Sequence, residues 1–221
     1  MLDRIKMAAI EDIEVRDLIV RSRPILLEIV ENRGYNMDSY KGVSPEEIDR
    51  FVLTNTNLLK MKGKKVEGGN APMESVIVLY WMEPVKNKLD SELKKLSEEG
   101  EFDKDTQELV IILSEAPHDV FAIQAAKQWT AQRIRVSFFH LKQIISNPAK
   151  HIMVPPHRKL SEYECEFVIK KLKLRSKMEL PYIKYHDIQS RVLGLVPGDI
   201  VEIRRPSETV GEYTLFRVCT V

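Results

Sequence analysis

The sequence predicts an α/β domain followed by a smaller α+β domain. From residue 75 to 140, short apolar runs rich in β-branched and aromatic residues alternate with segments of helical period, the pattern of strands joined by helices into a mainly parallel sheet. Ser146-Asn147-Pro148 then breaks the alternation, and beyond it the strands shorten and pair through turns. This boundary divides the 221 residues into an N-terminal domain over 1–147 and a C-terminal domain over 150–221.

The elements follow in order. Ile10 to Asn32 reads as helical, with Pro24 kinking the run or opening a second helix behind Ser22, and Gly34 supplies the stop. Ser44-Pro45-Glu46-Glu47 places a hydroxyl at the N-cap, proline at N1 and a carboxylate at N3, and predicts a helix from 45 to about 59. The stretch MKGKKVEGGNAP is expected to be a loop. SVIVLYWM is a buried strand ended by Pro84, and Val85, Leu89, Leu93 and Leu96 then fall on one face of a helix. Strand ELVIILS, a helix through VFAIQAAKQW and strand RIRVSFFH repeat the plan.

In the second domain, Val154-Pro155-Pro156-His157 keeps the chain extended. Ser161 and Glu164 form another capping box, for a helix to about Lys173 with Tyr163, Phe167, Ile169 and Leu172 available to pack. Short strands are expected at Tyr182–Tyr185, Asp199–Arg204 and Tyr213–Val218, with a helical turn over Ile188–Leu193 stopped by Gly194 and a hairpin turn at PSETVG.

Composition excludes several function classes. The chain is 43% hydrophobic and 30% charged, so it folds instead of remaining a disordered tail. Its two cysteines, Cys165 and Cys219, show no pairing by spacing, which suits a reducing compartment. The start, MLDRIKMAAIEDIEV, lacks the apolar core of a signal peptide. The longest uncharged apolar run, Val76 to Met82, is far below the ~20 residues of a membrane span, so no membrane partner is expected. Residues 1–150 carry 22 basic and 24 acidic side chains and residues 151–221 carry 12 and 9. Neither part is the basic clamp of a protein that holds nucleic acid alone, so any DNA contact is shared with partners.

No catalytic motif or cofactor fingerprint is found. The five histidines (118, 140, 151, 157, 186) form no HxxxH or HExxH, and the nine glycines supply no GxGxxG and no P-loop. Asp90-Ser91-Glu92-Leu93-Lys94 contains the acid and E-x-K of restriction-type nucleases, but its helical period points the two carboxylates around a solvated helix. The tail differs in kind. RRPSETVGEY brings arginines, hydroxyls, a carboxylate, proline and glycine to one hairpin tip, a composition that suits tight-turn chemistry or a binding surface.

LPYIKYHDIQSRVLGLVPGDIVEIRRPSETVGEYTLFRV resembles, almost position for position, the C-terminal domain of the subunit common to eukaryotic RNA polymerases I, II and III, and its short H-type counterpart in archaeal RNA polymerase. HIMVPPHRKLSEYECEFVIKKL is similar to the family's approach to that domain, and RPILLEIVENRGYNM to its first helix ending in RGY. Ile188 after Asp187, Pro156 and Glu212 depart from the family pattern and mark a divergent member. The archaeal H-type protein lacks the N-terminal half, so the resemblance points to a eukaryotic chain or one carried by a large DNA virus. A nuclear location, or a virion or virus factory, would follow.

The resemblance implies no catalysis by this chain and no cofactor or metal. It implies a C-terminal assembly domain docked on the largest polymerase subunit, beside small subunits, with Arg191, Arg204, Arg205, Ser207, Glu208, Thr209, Tyr213 and Arg217 as interface candidates. Gly194, Gly198, Pro206 and Gly211 would shape the turns. The N-terminal domain would have the family's nuclease-like α/β topology without nuclease residues and form part of the lower jaw, with Ala116, Pro117 and His118 facing downstream duplex DNA. The competing class is a stand-alone nucleic-acid-binding or nuclease-like α/β protein.

Overall fold

The computed structural model describes residues 13–48, 60–69, 71–82, 88–98, 102–116, 118–207, 209 and 211–221. The chain divides into two compact units, Met1–Ser146 and Asn147–Val221.

In the first unit, helix α1 (Ile13–Asn32) runs unbroken through Pro24 and buries Ile19, Leu26, Ile29 and Val30. Gly34 lies just beyond its end at φ +97, a conformation that admits glycine readily. Ser44 caps the next turn as expected: its Oγ accepts from Glu47 N at 3.2 Å while Glu47 Oε2 accepts from Ser44 N at 3.0 Å. Residues 45–48 are helical, and the rest of that expected helix, with Pro84 and Val85, lies outside the described residues.

The sheet of this unit has the order β1 (Tyr35–Asn36), β2 (Lys60–Lys65), β3 (Ser75–Trp81), β4 (Gln107–Leu113), β5 (Val136–His140). Strands β3, β4 and β5 are parallel, joined through α2 (Leu89–Glu98) and α3 (Asp119–Gln132), as the alternation predicts. Strand β4 is buried along its whole length and β3 for all but its last residue, which is why their sequences are uniformly apolar instead of alternating.

The other half of the sheet corrects the sequence reading. The expected loop MKGKKVEGGNAP contains β2, antiparallel to both β1 and β3. Its burial alternates, with Met61 and Gly63 inside and Lys62 and Lys64 outside. Gly63 allows a close approach there: a Cβ would sit 3.1 Å from Asn36 O and 2.5 Å from Met37 Sδ, so the methionine side chain would have to shift.

The second unit is a four-stranded sheet of order β6 (His157–Lys159), β8 (Ile200–Ser207), β9 (Gly211–Thr220), β7 (Tyr182–Lys184). Helix α4 (Glu162–Lys171) starts at Ser161, whose capping box with Glu164 is complete. Its inner face supplies Val168 and Cys165 to a core with Leu160, Leu180, Ile200 and Val218. The expectation that Tyr163 and Phe167 pack inward is overturned: they are 81% and 60% exposed, on the side of α4 opposite Cys165 and Val168. Helix α5 (Ile188–Leu193) is capped by Asp187 and closed by Gly194 at φ 63. Among the described residues no helix is long and apolar enough to cross a membrane.

Candidate functional site

The β8–β9 hairpin is longer than its sequence pattern suggests. The ladder runs from Ile200↔Val218 through Arg204↔Thr214, Arg205↔Tyr213 and Pro206↔Glu212 to Ser207↔Gly211. The flanking strands are short. Strand β6 pairs only with residues 201–203 of β8, and β7 only with residues 218–220 of β9. Residues 205–207 and 211–213 therefore form a two-stranded ribbon that reaches past the rest of its sheet.

Several of the sequence-derived candidates gather on that ribbon. Arg204, Arg205 and Thr209 are exposed, Tyr213 is 39% exposed, and Ser207 Oγ lies 3.2 Å from Thr209 Oγ1. Because side chains alternate along a strand, Arg204 and Arg205 occupy opposite faces, with Arg205 beside Tyr213. Pro206 and Ser207 lie in the β8 ladder, Gly211 opens β9 at φ +80, and Gly198 stands before β8 at φ +99. Glu208 is outside the described residues.

Two other candidates lie apart from the ribbon. Arg191 belongs to α5 and is half-buried; burial pushes its guanidinium below the ordinary arginine value, opposed by the charge of Asp187. Arg217 is half-buried and donates from Nη1 to Tyr182 O at 2.7 Å, which ties β9 to β7.

The base of the hairpin holds a charged network that the motif reading does not contain. Arg158 and Glu202 face each other across the β6–β8 ladder, and Arg158 donates to Glu202 Oε2 from Nε at 2.9 Å and Nη2 at 2.5 Å. Its Nη1 reaches Glu164 Oε1 at 2.7 Å, and Arg204 Nε donates to Glu202 Oε1 at 3.2 Å. Glu164 is held down to about 2 by the Ser161 amide first and then by Arg158. The exposed Arg204 is thereby oriented from below by Glu202, which is 10% exposed in its side chain. His157 adjoins this base: Nδ1 lies 2.6 Å from Pro155 O, and burial pushes the imidazole below its ordinary value.

In the first unit, Ala116 and His118 are exposed between β4 and α3, and His118 Nδ1 accepts from Val120 N at 3.2 Å, capping α3. Pro117 lies outside the described residues. The nuclease-like segment is helical within α2, and Glu92 accepts from Lys95 Nζ at 2.8 Å. Among the described residues, no group of three or more His, Cys, Asp or Glu side chains could hold a metal ion.

Comparison with known proteins converges on one family. Residues 146–219 match the family model of the RNA polymerase Rpb5 C-terminal domain. The DNA-directed RNA polymerase subunit Rpo5 of Pyrococcus abyssi is 44% identical over 72 residues, which is 33% of this chain and 87% of that protein. Its counterpart in Thermococcus kodakarensis is 46% identical over 68 residues, 31% of this chain and 82% of that protein. The Dictyostelium discoideum subunit rpabc1 of DNA-directed RNA polymerases I, II and III is 28% identical over 204 residues, 91% of this chain and 96% of that protein.

Proposed function

Since this chain belongs to the Rpb5/Rpo5 family of non-catalytic DNA-directed RNA polymerase subunits, we propose that it anchors itself in such an enzyme through the ribbon of residues 205–207 and 211–213. The observation that carries this reading is the ribbon's isolation from the rest of its sheet. A two-stranded hairpin is marginal by itself in water and gains stability when a partner covers it. Arg205, Ser207, Thr209 and Tyr213 give that partner directional donors and an aromatic ring, and the Glu202–Arg204 contact fixes one guanidinium in advance. The partner is the largest polymerase subunit, with small subunits beside it, and the location in a cell is the nucleus.

In the same proposal the first unit forms part of the lower jaw, and the turn at Ala116 and His118 faces downstream duplex DNA. The parallel β3–β4–β5 layer supports a rigid projecting jaw, and its strands set this turn at their C-terminal edge. The test is co-expression of the tagged full chain with its cognate largest subunit. Arg204→Glu combined with Arg205→Glu is expected to cut co-purification at least about tenfold, since unpaired interface charges weaken docking. Full retention by the folded variant would remove the ribbon from the interface.

A further inference from the structure

The charged strand that leads to the tip of the ribbon ends in a hydroxyl. Arg204, Arg205, Pro206 and Ser207 follow one another along β8 in extended conformation, each paired with a residue of β9. Past Ile203 the other edge of that strand has no β6 ladder on it. Side chains alternate, so Ser207 shares a face with Arg205, about 7 Å away, while Arg204 points to the opposite one. Both arginines are exposed; Arg204 engages Glu202 through its Nε, and Arg205 stands outside that contact. The space around Ser207 is open. Its cross-strand neighbour is Gly211, where an added Cβ would meet nothing within 4 Å, and the Ser207 hydroxyl lies 3.2 Å from Thr209 Oγ1.

We propose that Ser207 accepts a phosphoryl group from ATP, delivered by an arginine-directed protein kinase while the chain is unassembled, and that the phosphate bars the ribbon from its polymerase partner. Protein kinases select substrates by charge pattern. Two guanidinium forks on opposite faces of an extended strand give an acidic substrate groove two separate anchors, and the hydroxyl follows at a set distance. In the transfer, Ser207 Oγ bonds to the γ-phosphorus as the bond from that phosphorus to the β–γ bridging oxygen breaks. ADP leaves with the electron pair, and the hydroxyl proton passes to the kinase's catalytic carboxylate. The charge of the ribbon then inverts. Residues 204–213 hold Arg204 and Arg205 against Glu208 and Glu212, which sum to zero, and a phosphoserine adds about −1.5 to −2. The phosphate also stands on the face of Arg205, within reach of its guanidinium, and takes up as an internal ion pair the donors a docking partner would use. This gating rests on the docking proposal; the assignment of the acceptor does not.

The first experiment treats the purified full chain with the catalytic subunit of cAMP-dependent protein kinase, an arginine-directed enzyme, and magnesium ATP, and locates phosphate by peptide mass spectrometry. Phosphate is expected on Ser207. Ser207→Ala should abolish it with no transfer to Thr209, and Arg204→Gln or Arg205→Gln should slow it at least about tenfold, since each removes one charged anchor. The second experiment co-expresses the tagged chain and its cognate largest subunit with or without the kinase. Kinase should cut co-purification at least about tenfold, phosphatase treatment of the chain should restore it, and the Ser207→Ala chain should dock equally well either way. Absence of phosphate on Ser207, or equal phosphorylation of the arginine variants, overturns the acceptor site. Undiminished docking of the phosphorylated chain, or equal displacement of Ser207→Ala, overturns the gating. If Arg204→Glu with Arg205→Glu leaves docking intact, the docking proposal fails and the gating with it, while mass spectrometry on the chain alone still decides the acceptor.

Discussion

Glu108 sits at the centre of the most buried charge cluster of the first unit. Arg33 donates from Nη1 to its Oε1 at 2.5 Å, Tyr35 Oη donates to its Oε2 at 2.9 Å, and the Arg33 and Glu108 side chains are 1% and 2% exposed. Burial, with the carboxylate alongside, drives the Tyr35 hydroxyl well above its ordinary value, so it stays protonated and donates. Removing one member strands a buried charge. Glu108→Gln is expected to lower stability by about 3–5 kcal/mol, and Arg33→Met with Glu108→Leu to recover most of it, both read from urea unfolding midpoints. Nothing local in the sequence marks this pair, because its members are 75 residues apart and each alone looks like an ordinary surface charge.

His157 gives a pH signature at the same scale. Its lowered folded-state value means that the unfolded chain takes up the proton first. Its contribution to stability is complete above the unfolded value of about 6.5 and is lost as pH falls through that value toward the folded one. Thermal melts of His157→Gln should therefore decline less steeply than the wild type on acidification from neutral pH. An identical decline would show that the imidazole is not the responsible group.

Among elements, α4 has the clearest local logic. Ser161 Oγ accepts from Glu164 N at 3.3 Å and Glu164 Oε2 accepts from Ser161 N at 2.9 Å. Ser161→Ala should cost about 1 kcal/mol, measured by chemical denaturation. Both capping boxes were legible because an N-cap is written within four adjacent residues. The apolar strands and Gly194 were legible for the same reason. Strand β2 was not, since lysines and a glycine disguise a two-residue period whose buried members are Met61 and Gly63. Helix α4 misled in the other direction: its aromatic residues promise a core, but the smaller Cys165 and Val168 face the sheet.

At the scale of the molecule, each unit owns a sheet and a core. Residues 147–221 are thus expected to fold alone with a single cooperative urea transition, followed by far-UV circular dichroism. Loss of cooperativity in that fragment would show that its core is insufficient. The family could be read from the tail's motifs. The reach of the ribbon could not, because strand lengths on either side of it are set by long-range pairing.

That reach has a consequence for copies of the protein awaiting assembly. Beyond β6 and β7 the ribbon exposes raw main-chain edges, the surface through which sheets fuse into aggregates. Pro206 lacks an amide hydrogen to offer an intruding strand, and Arg204, Arg205 and Glu212 place charge along the ribbon. The residues proposed to recognise one partner thereby also serve as gatekeepers against self-association. Pro206→Val should leave the monomer's fold intact and shorten its soluble lifetime at high concentration, followed by light scattering.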